Sequence, residues 1–256
     1  EVGGRVPVIN GIYADGSLEA ADIARMADRE GASALLVFPP QSMSMGGHLR
    51  PEMALAHYRR IADATDLSMI CFTYPVASGL AYPFETMLRL FEEVPSIRAI
   101  KDWTNDAMLH EKHIRVFQNL PRPVNVLTTH SSWLMASLTM GANGLLSGAG
   151  SVIADLQVAL FRAVKELDLR RAQSINDRIH PLAQTFYAPP FLDMHNRMKE
   201  ALVMLGRMEK AHVRPPLVKL SEAELQRIRG ALKTAGFLQD PAAADAPQPG
   251  RIAATA

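Results

Sequence analysis

Lys101 closes the short run Ile97-Arg98-Ala99-Ile100-Lys101 and is followed by Asp102-Trp103. An ammonium group at the end of an apolar run is costly to bury unless it is paired or gives up its proton. A lysine without that proton keeps a neutral amine, which can attack a ketone and form a Schiff base. A lysine that snorkels to solvent at a strand end accounts for the same residues. The surroundings decide between the two. Side chains alternate along a strand, so Ala99 and Ile97 are expected to share the face of Lys101 and to form its apolar wall, with Asp102 pointing the other way as a structural or capping residue.

A Schiff-base reaction also needs a proton carrier. Tyr74 lies two residues beyond Phe72 and brings a hydroxyl to the same strand face, unless it only packs before Pro75. His130, in Thr128-Thr129-His130-Ser131-Ser132, is a candidate for acid–base or carboxylate contact; the alternative is a surface histidine capping the helix near Trp133. Leu146 and Ser147 end an apolar run before Gly148-Ala149-Gly150. Small residues there let a ligand carboxylate approach backbone N–H groups, although a tight turn also explains the glycines. Trp103 either lines the pocket or packs on a helix. The methionine-containing loop 42–48 either covers the site and favours a hydrophobic substrate tail or packs at an interface. His110 and His113 have i, i+3 spacing but lack a third ligand, so a solvated face is expected and no metal site. No Walker loop, GxGxxG fingerprint or cysteine cluster occurs.

The elements that must position these groups alternate. Apolar runs at 6–11, 34–38, 67–74, 97–101, 124–128 and 144–147 read as strands, and 17–30, 51–64, 83–93, 106–118 and 133–140 read as helices, the first capped by Ser17. This alternation implies parallel pairing through βαβ crossovers. The runs lack strict alternation, as strands covered on both faces do. Beyond residue 155 the pattern is helical only, over 155–167, 169–187, 193–206 and 221–236. The Asp-, Pro- and Ala-rich stretch 239–256 reads as a disordered tail. Six strands fit an open doubly wound sheet, or a barrel of about eight strands entered part-way. Val2-Gly3-Gly4-Arg5 looks like a helix end running into a strand and favours the barrel.

The 27 basic and 26 acidic side chains give a formal net charge of +1, which leaves no electrostatic footprint for nucleic acid or an anionic membrane. Cys71 is the only cysteine, so no internal disulfide is expected. No apolar run is long enough to span a bilayer, and no signal peptide is visible. A cytoplasmic location is therefore expected.

Six short segments together resemble the family of dihydrodipicolinate synthase and N-acetylneuraminate lyase, the Schiff-base aldolases on a TIM barrel. They are Gly-Gly-Arg-Val-Pro-Val-Ile (3–9), Leu-Leu-Val-Phe-Pro-Pro (35–40), Tyr-Pro-Val-Ala-Ser-Gly (74–79), Ile-Lys-Asp (100–102), Gly-Ala-Asn-Gly-Leu-Leu-Ser (141–147) and Arg-Pro-Pro-Leu-Val-Lys-Leu-Ser (214–221). The resemblance implies an α/β fold: a (β/α)8 TIM barrel with a C-terminal helical extension, the chain starting near barrel strand three. Strands three to eight with their helices would occupy 1–154, and the last barrel helix with the helical region 155–238. It implies that Lys101 is the Schiff-base lysine, that Phe72, Tyr74, His130, Leu146 and Ser147 contact substrate, and that the chain is a lyase of pyruvate or another 2-keto acid, with no metal or organic cofactor. A homo-oligomer, dimer or tetramer, is also implied. The family's strand-two loop, with two threonines for the substrate carboxylate, is absent from these residues.

Three positions depart from the pattern. Phe72 stands where the family usually has a tyrosine, Gln41 and Ser42 follow Pro39-Pro40 where a second tyrosine is expected, and Ala77 stands where dihydrodipicolinate-making members place an arginine. Dihydrodipicolinate synthesis is therefore not the expected reaction. A barrel that binds ligand or regulates without turnover is the alternative.

Overall fold

Every apolar run of the first half forms a strand, and a helix follows each of the first five. The computed structural model describes residues 2–239; from residue 240 the tail expected at 239–256 lies outside the described residues. In chain order the elements are β1 (Ile9–Ile12), α1 (Ser17–Arg29), β2 (Ala34–Val37), α2 (Pro51–Ala62), β3 (Ser68–Thr73), α3 (Phe84–Glu93), β4 (Ile97–Asp102), α4 (Ala107–Phe117), β5 (Asn125–Thr128), α5 (Leu134–Thr139) and β6 (Gly144–Leu145). Four more α-helices follow among the described residues: α6 (Gly150–Lys165), α7 (Leu169–Phe186), α8 (Met194–Met204) and α9 (Glu222–Thr234).

The strands form one six-stranded sheet whose spatial order, β1 to β6, repeats their order in the chain. All neighbours are parallel. A doubly wound sheet reverses its order at a switch point. No reversal occurs here, so each crossover steps the same way, as in a (β/α)8 barrel.

The chain divides into two compact units, the first ending at Ser147 and the second starting at Gly148. In the first, Leu35, Val37, Met69, Cys71, Ile100 and Val126 from the strands meet Ala20, Ala24, Leu55, Ile61, Leu90 and Phe117 from the helices. Full burial of each large apolar side chain contributes about 1.5–3 kcal/mol. In the second unit the guanidinium of Arg197 is fully buried. It donates to Glu224 at 2.8 Å and to the Ala188 carbonyl at 2.6 Å, tying α8 to α9 and to the segment after α7.

Two expectations are corrected. Ile97 does not share the face of Lys101: the register shifts between Met69 and Ile70, so Met69 is opposite Ile97 but Ile70 is opposite Ala99. That extra residue turns Ile97 into the core beneath the helices, and Ala99 alone keeps the expected side. Ser17 is not the cap of α1, which is Gly16; its hydroxyl instead meets Nδ1 of the buried His57 at 2.9 Å. The methionine loop forms short 3-10 turns over Gln41–Met45 and Gly47–Leu49, and Met43 is inserted in the core.

That loop is seated on the turn after β3. Gly79 has φ +73°, and a Cβ there would collide with the Ser44 carbonyl oxygen. Gly79→Ala should therefore lower stability by about 1–3 kcal/mol, read as a reduced urea midpoint; an unchanged midpoint would contradict this packing.

Candidate active site

β4 delivers two ionisable neighbours to opposite faces of the sheet. Lys101 is paired in register with Phe72 on β3 and Leu127 on β5. Its Nζ stands 4.2 Å from the centre of the Phe72 ring. Among the described residues it has no ion-pair partner. Burial lowers its pKa from the ordinary lysine value to about 8. Loss of hydration disfavours the charged amine, while the ring favours it only modestly through its quadrupole.

The Phe72 ring is itself buried. Tyr74 lies against it at 4.4 Å between centroids, and Trp103 stacks parallel to it at 6.5 Å. Tyr74 is half-buried. Burial, with a smaller contribution from Tyr13, holds its phenol protonated above the usual range. Leu146 continues the β5–β6 ladder by donating its N–H to the Thr128 carbonyl at 2.9 Å. The hydroxyl of Ser147 meets that of Ser131 at 2.7 Å. The structure thus gathers Lys101, Phe72 and Tyr74, with Leu146 and Ser147 at the same ends of the strands.

His130 lies elsewhere. Thr128 is in register with Asp102, and His130, two residues on, falls on the side of Asp102 rather than of the amine. It is buried, and Nε2 accepts the Asn105 backbone N–H at 3.1 Å. Its Nδ1 meets Thr128 Oγ1 at 3.2 Å. The ring stacks on Trp133 at 4.1 Å. Burial outweighs the attraction of Asp102 and lowers its pKa to about 4. It is a neutral structural imidazole with both nitrogens engaged.

Asp102 points away from Lys101, as expected, into a buried network. Its Oδ2 accepts from Nδ1 of His110 at 2.8 Å and of His113 at 2.7 Å, and its Oδ1 accepts the Thr104 N–H at 3.0 Å. Burial pushes this carboxyl up, but the two imidazoles outweigh it and hold the group well below the usual carboxylate range. His110 and His113 are therefore not on a solvated face; both are fully buried. The sequence carried the signal: residues 110, 113, 114 and 117 are at i, i+3, i+4 and i+7, the buried stripe of α4. Asp102, His110 and His130 bring one ligand-type atom each within 4.8 Å of one another. A cation there would compete with the backbone N–H bonds to Asp102 Oδ1 and His130 Nε2.

Comparison with known proteins gives the family and the fold. The family model described as "Dihydrodipicolinate synthetase family" matches residues 1–235. A 4-hydroxy-tetrahydrodipicolinate synthase of Neisseria meningitidis is 30% identical over 236 residues, covering 91% of this chain and 76% of the relative. One from Maridesulfovibrio salexigens is 27% identical over 238 residues, covering 92% and 77%. Among solved structures, dihydrodipicolinate synthase of Thermotoga maritima superposes with a TM-score of 0.82 at 22% identity, covering 93% of this chain and 78% of that one. A prophage protein of the dihydrodipicolinic acid synthase family from E. coli K12, in complex with pyruvate, gives 0.83 at 22%, with the same coverage.

The buried imidazole sets a pH dependence. An unfolded histidine takes up a proton below about 6.5, whereas folded His130 resists until about 4. The unfolded chain thus binds more protons in that window, and stability must fall as pH drops through it. The depressed Asp102 acts lower: its contribution is present above about 4 and is lost as the pH falls further. Urea midpoints between pH 7 and 4 should decline less steeply in His130→Gln than in the native chain. The slope should not vanish, because His57 is also held down to about 4 by burial. Equal slopes would contradict the placement of His130.

Proposed function

The chain belongs to the dihydrodipicolinate synthetase family and is a lysine Schiff-base lyase of that family, and from that premise we propose that it acts on pyruvate or another 2-keto acid through Lys101. The observation that carries the assignment is the desolvated amine, set over Phe72 without an acidic partner among the described residues.

The neutral amine adds to the ketone carbon. The ketone oxygen then leaves as water, and an iminium remains. Its positive nitrogen draws electrons from the adjacent carbon, so a carbon–carbon or carbon–oxygen bond one atom further on can break or form. Tyr74 serves as the proton carrier, because its raised pKa keeps a proton available for donation. Leu146 and Ser147 receive the carboxylate end, to which the Ser147 hydroxyl donates while it accepts the O–H of Ser131. Hydrolysis of the iminium returns the free lysine. As written, the cycle uses no metal and no organic cofactor.

The substrate differs from that of the named relatives. The resemblance expects two tyrosines and an arginine where Phe72, Gln41-Ser42 and Ala77 stand; Phe72 has no hydroxyl to relay a proton, and neither Gln41-Ser42 nor Ala77 brings a positive charge to a second carboxylate. Phe72 also favours a second reading, a barrel that binds keto acid without turnover. A cytoplasmic homo-oligomer, dimer or tetramer, completes the proposal. It is supported by exposed Leu167, Leu169, Phe191 and Leu192 in the second unit, and no described helix is long and apolar enough to cross a membrane.

Borohydride reduction in the presence of pyruvate should leave a stable adduct whose mass maps to Lys101, and Lys101→Arg should give none. No adduct with any member of a 2-keto acid panel would overturn the assignment. An adduct without turnover on that panel would select the second reading.

A further inference from the structure

Four neighbouring strands end in aromatic side chains linked through Phe72, the ring that faces Lys101. Tyr13 follows β1, Phe38 follows β2, Tyr74 follows β3 and Trp103 follows β4, with Phe72 inside β3. Their rings form one continuous surface. Tyr13 meets Phe38 edge-on at 5.6 Å, and Phe38 meets Phe72 edge-on at 5.2 Å. Tyr74 touches Phe72 at 4.4 Å and Trp103 at 5.6 Å. The set is centred on the ring beneath the reactive amine.

These rings are not the core of the first unit. None of the five belongs to the cluster packed between sheet and helices. Phe38, Tyr74 and Trp103 are only half-buried, and Tyr13 is 66% exposed. The residues after β2 and β3 bring no positive charge for a second carboxylate at the far end of a substrate: Gln41 and Ser42 follow β2, and Val76 and Ala77 follow β3. The charged side chain after β1, Asp15, is an acid that accepts the Gln41 backbone N–H at 2.7 Å, which disfavours an anionic end further. Aliphatic side chains would suffice for a simple greasy pocket. A wall of rings instead offers faces and edges that reward another ring in offset or edge-to-face geometry.

We propose that this wall selects 2-keto acids, or the aldehydes condensed with pyruvate, that carry an aryl group at the end remote from the carboxylate. The inference rests on the Schiff-base reading above and names its substrate class. In the condensing direction, the iminium formed from pyruvate on Lys101 loses a methyl proton to water and becomes an enamine, whose carbon bonds to the carbonyl carbon of an aryl aldehyde as the iminium re-forms. The aldehyde oxygen takes a proton from Tyr74, which recovers the released methyl proton through water. Hydrolysis then frees the hydroxy keto acid and the lysine; cleavage is the same sequence reversed.

Calorimetry on the full chain tests the wall apart from the covalent step, using 3-phenylpropanoate, 3-cyclohexylpropanoate and succinate, none of which has a ketone. The phenyl acid should bind about ten-fold more tightly than its saturated counterpart of similar size, and Trp103→Leu should bring the two towards equality. Equal affinities, tighter binding of the cyclohexyl acid, or tighter binding of succinate would overturn the proposal. The outcome is separable from the Schiff-base reading. An aryl preference without a pyruvate adduct would uphold the wall and refute the covalent role of Lys101, whereas an adduct without that preference would do the reverse.

Discussion

Hydration of a single ammonium group is the constraint on which the first unit depends. At the end of β4 the amine of Lys101 exchanges part of its water for the face of Phe72. A phenyl ring attracts a cation only modestly, and it replaces none of the hydrogen bonds that water supplies. The neutral form therefore gains, and burial lowers the pKa of the amine to about 8. The hydroxyl that the family pattern leads one to expect at Phe72 would add a polar partner at this position; without it, the proposed mechanism assigns proton transfer to Tyr74.

A carboxylate adjacent in sequence would defeat this arrangement if it shared the face of the lysine, because an opposite charge favours the ionised amine. Strand alternation sends Asp102 to the other side, where His110 and His113 hold it ionised. The same carboxylate fixes the Thr104 N–H, and His130 fixes that of Asn105, a residue at φ +55°. The loop leaving β4 is thereby anchored on both sides of its bend. Trp103, immediately before it, is set against Phe72 and Tyr74. The buried network is thus a positioning device for the pocket wall and takes no part in the proposed chemistry.

Much of this was legible in the sequence because it follows from periodicity. Six apolar runs gave six strands, and the Lys101–Asp102 alternation was readable from two adjacent residues. Phe72 was marked by the family resemblance, and Tyr74 by its spacing of two from that position. What escaped depended on register or on partners distant in the chain. The shift beside Met69 that turns Ile97 into the core has no local signature. The partnership of Asp102 with two histidines of α4 needed the strand and helix docked together, although the helical stripe already marked those histidines as buried. Tyr13 and Phe38 each sit alone after a short run, and only a parallel sheet brings them into line with Phe72.

The central claim is that Lys101 carries a desolvated, weakly basic amine, and its own titration tests this most directly. Trace labelling with acetic anhydride from pH 6 to 11, with each lysine peptide quantified by mass spectrometry, yields a separate midpoint for every lysine. The account requires Lys101 to titrate near 8, well below the exposed lysines, which titrate at about 10.4. A Lys101 midpoint indistinguishable from those of the exposed lysines would contradict it.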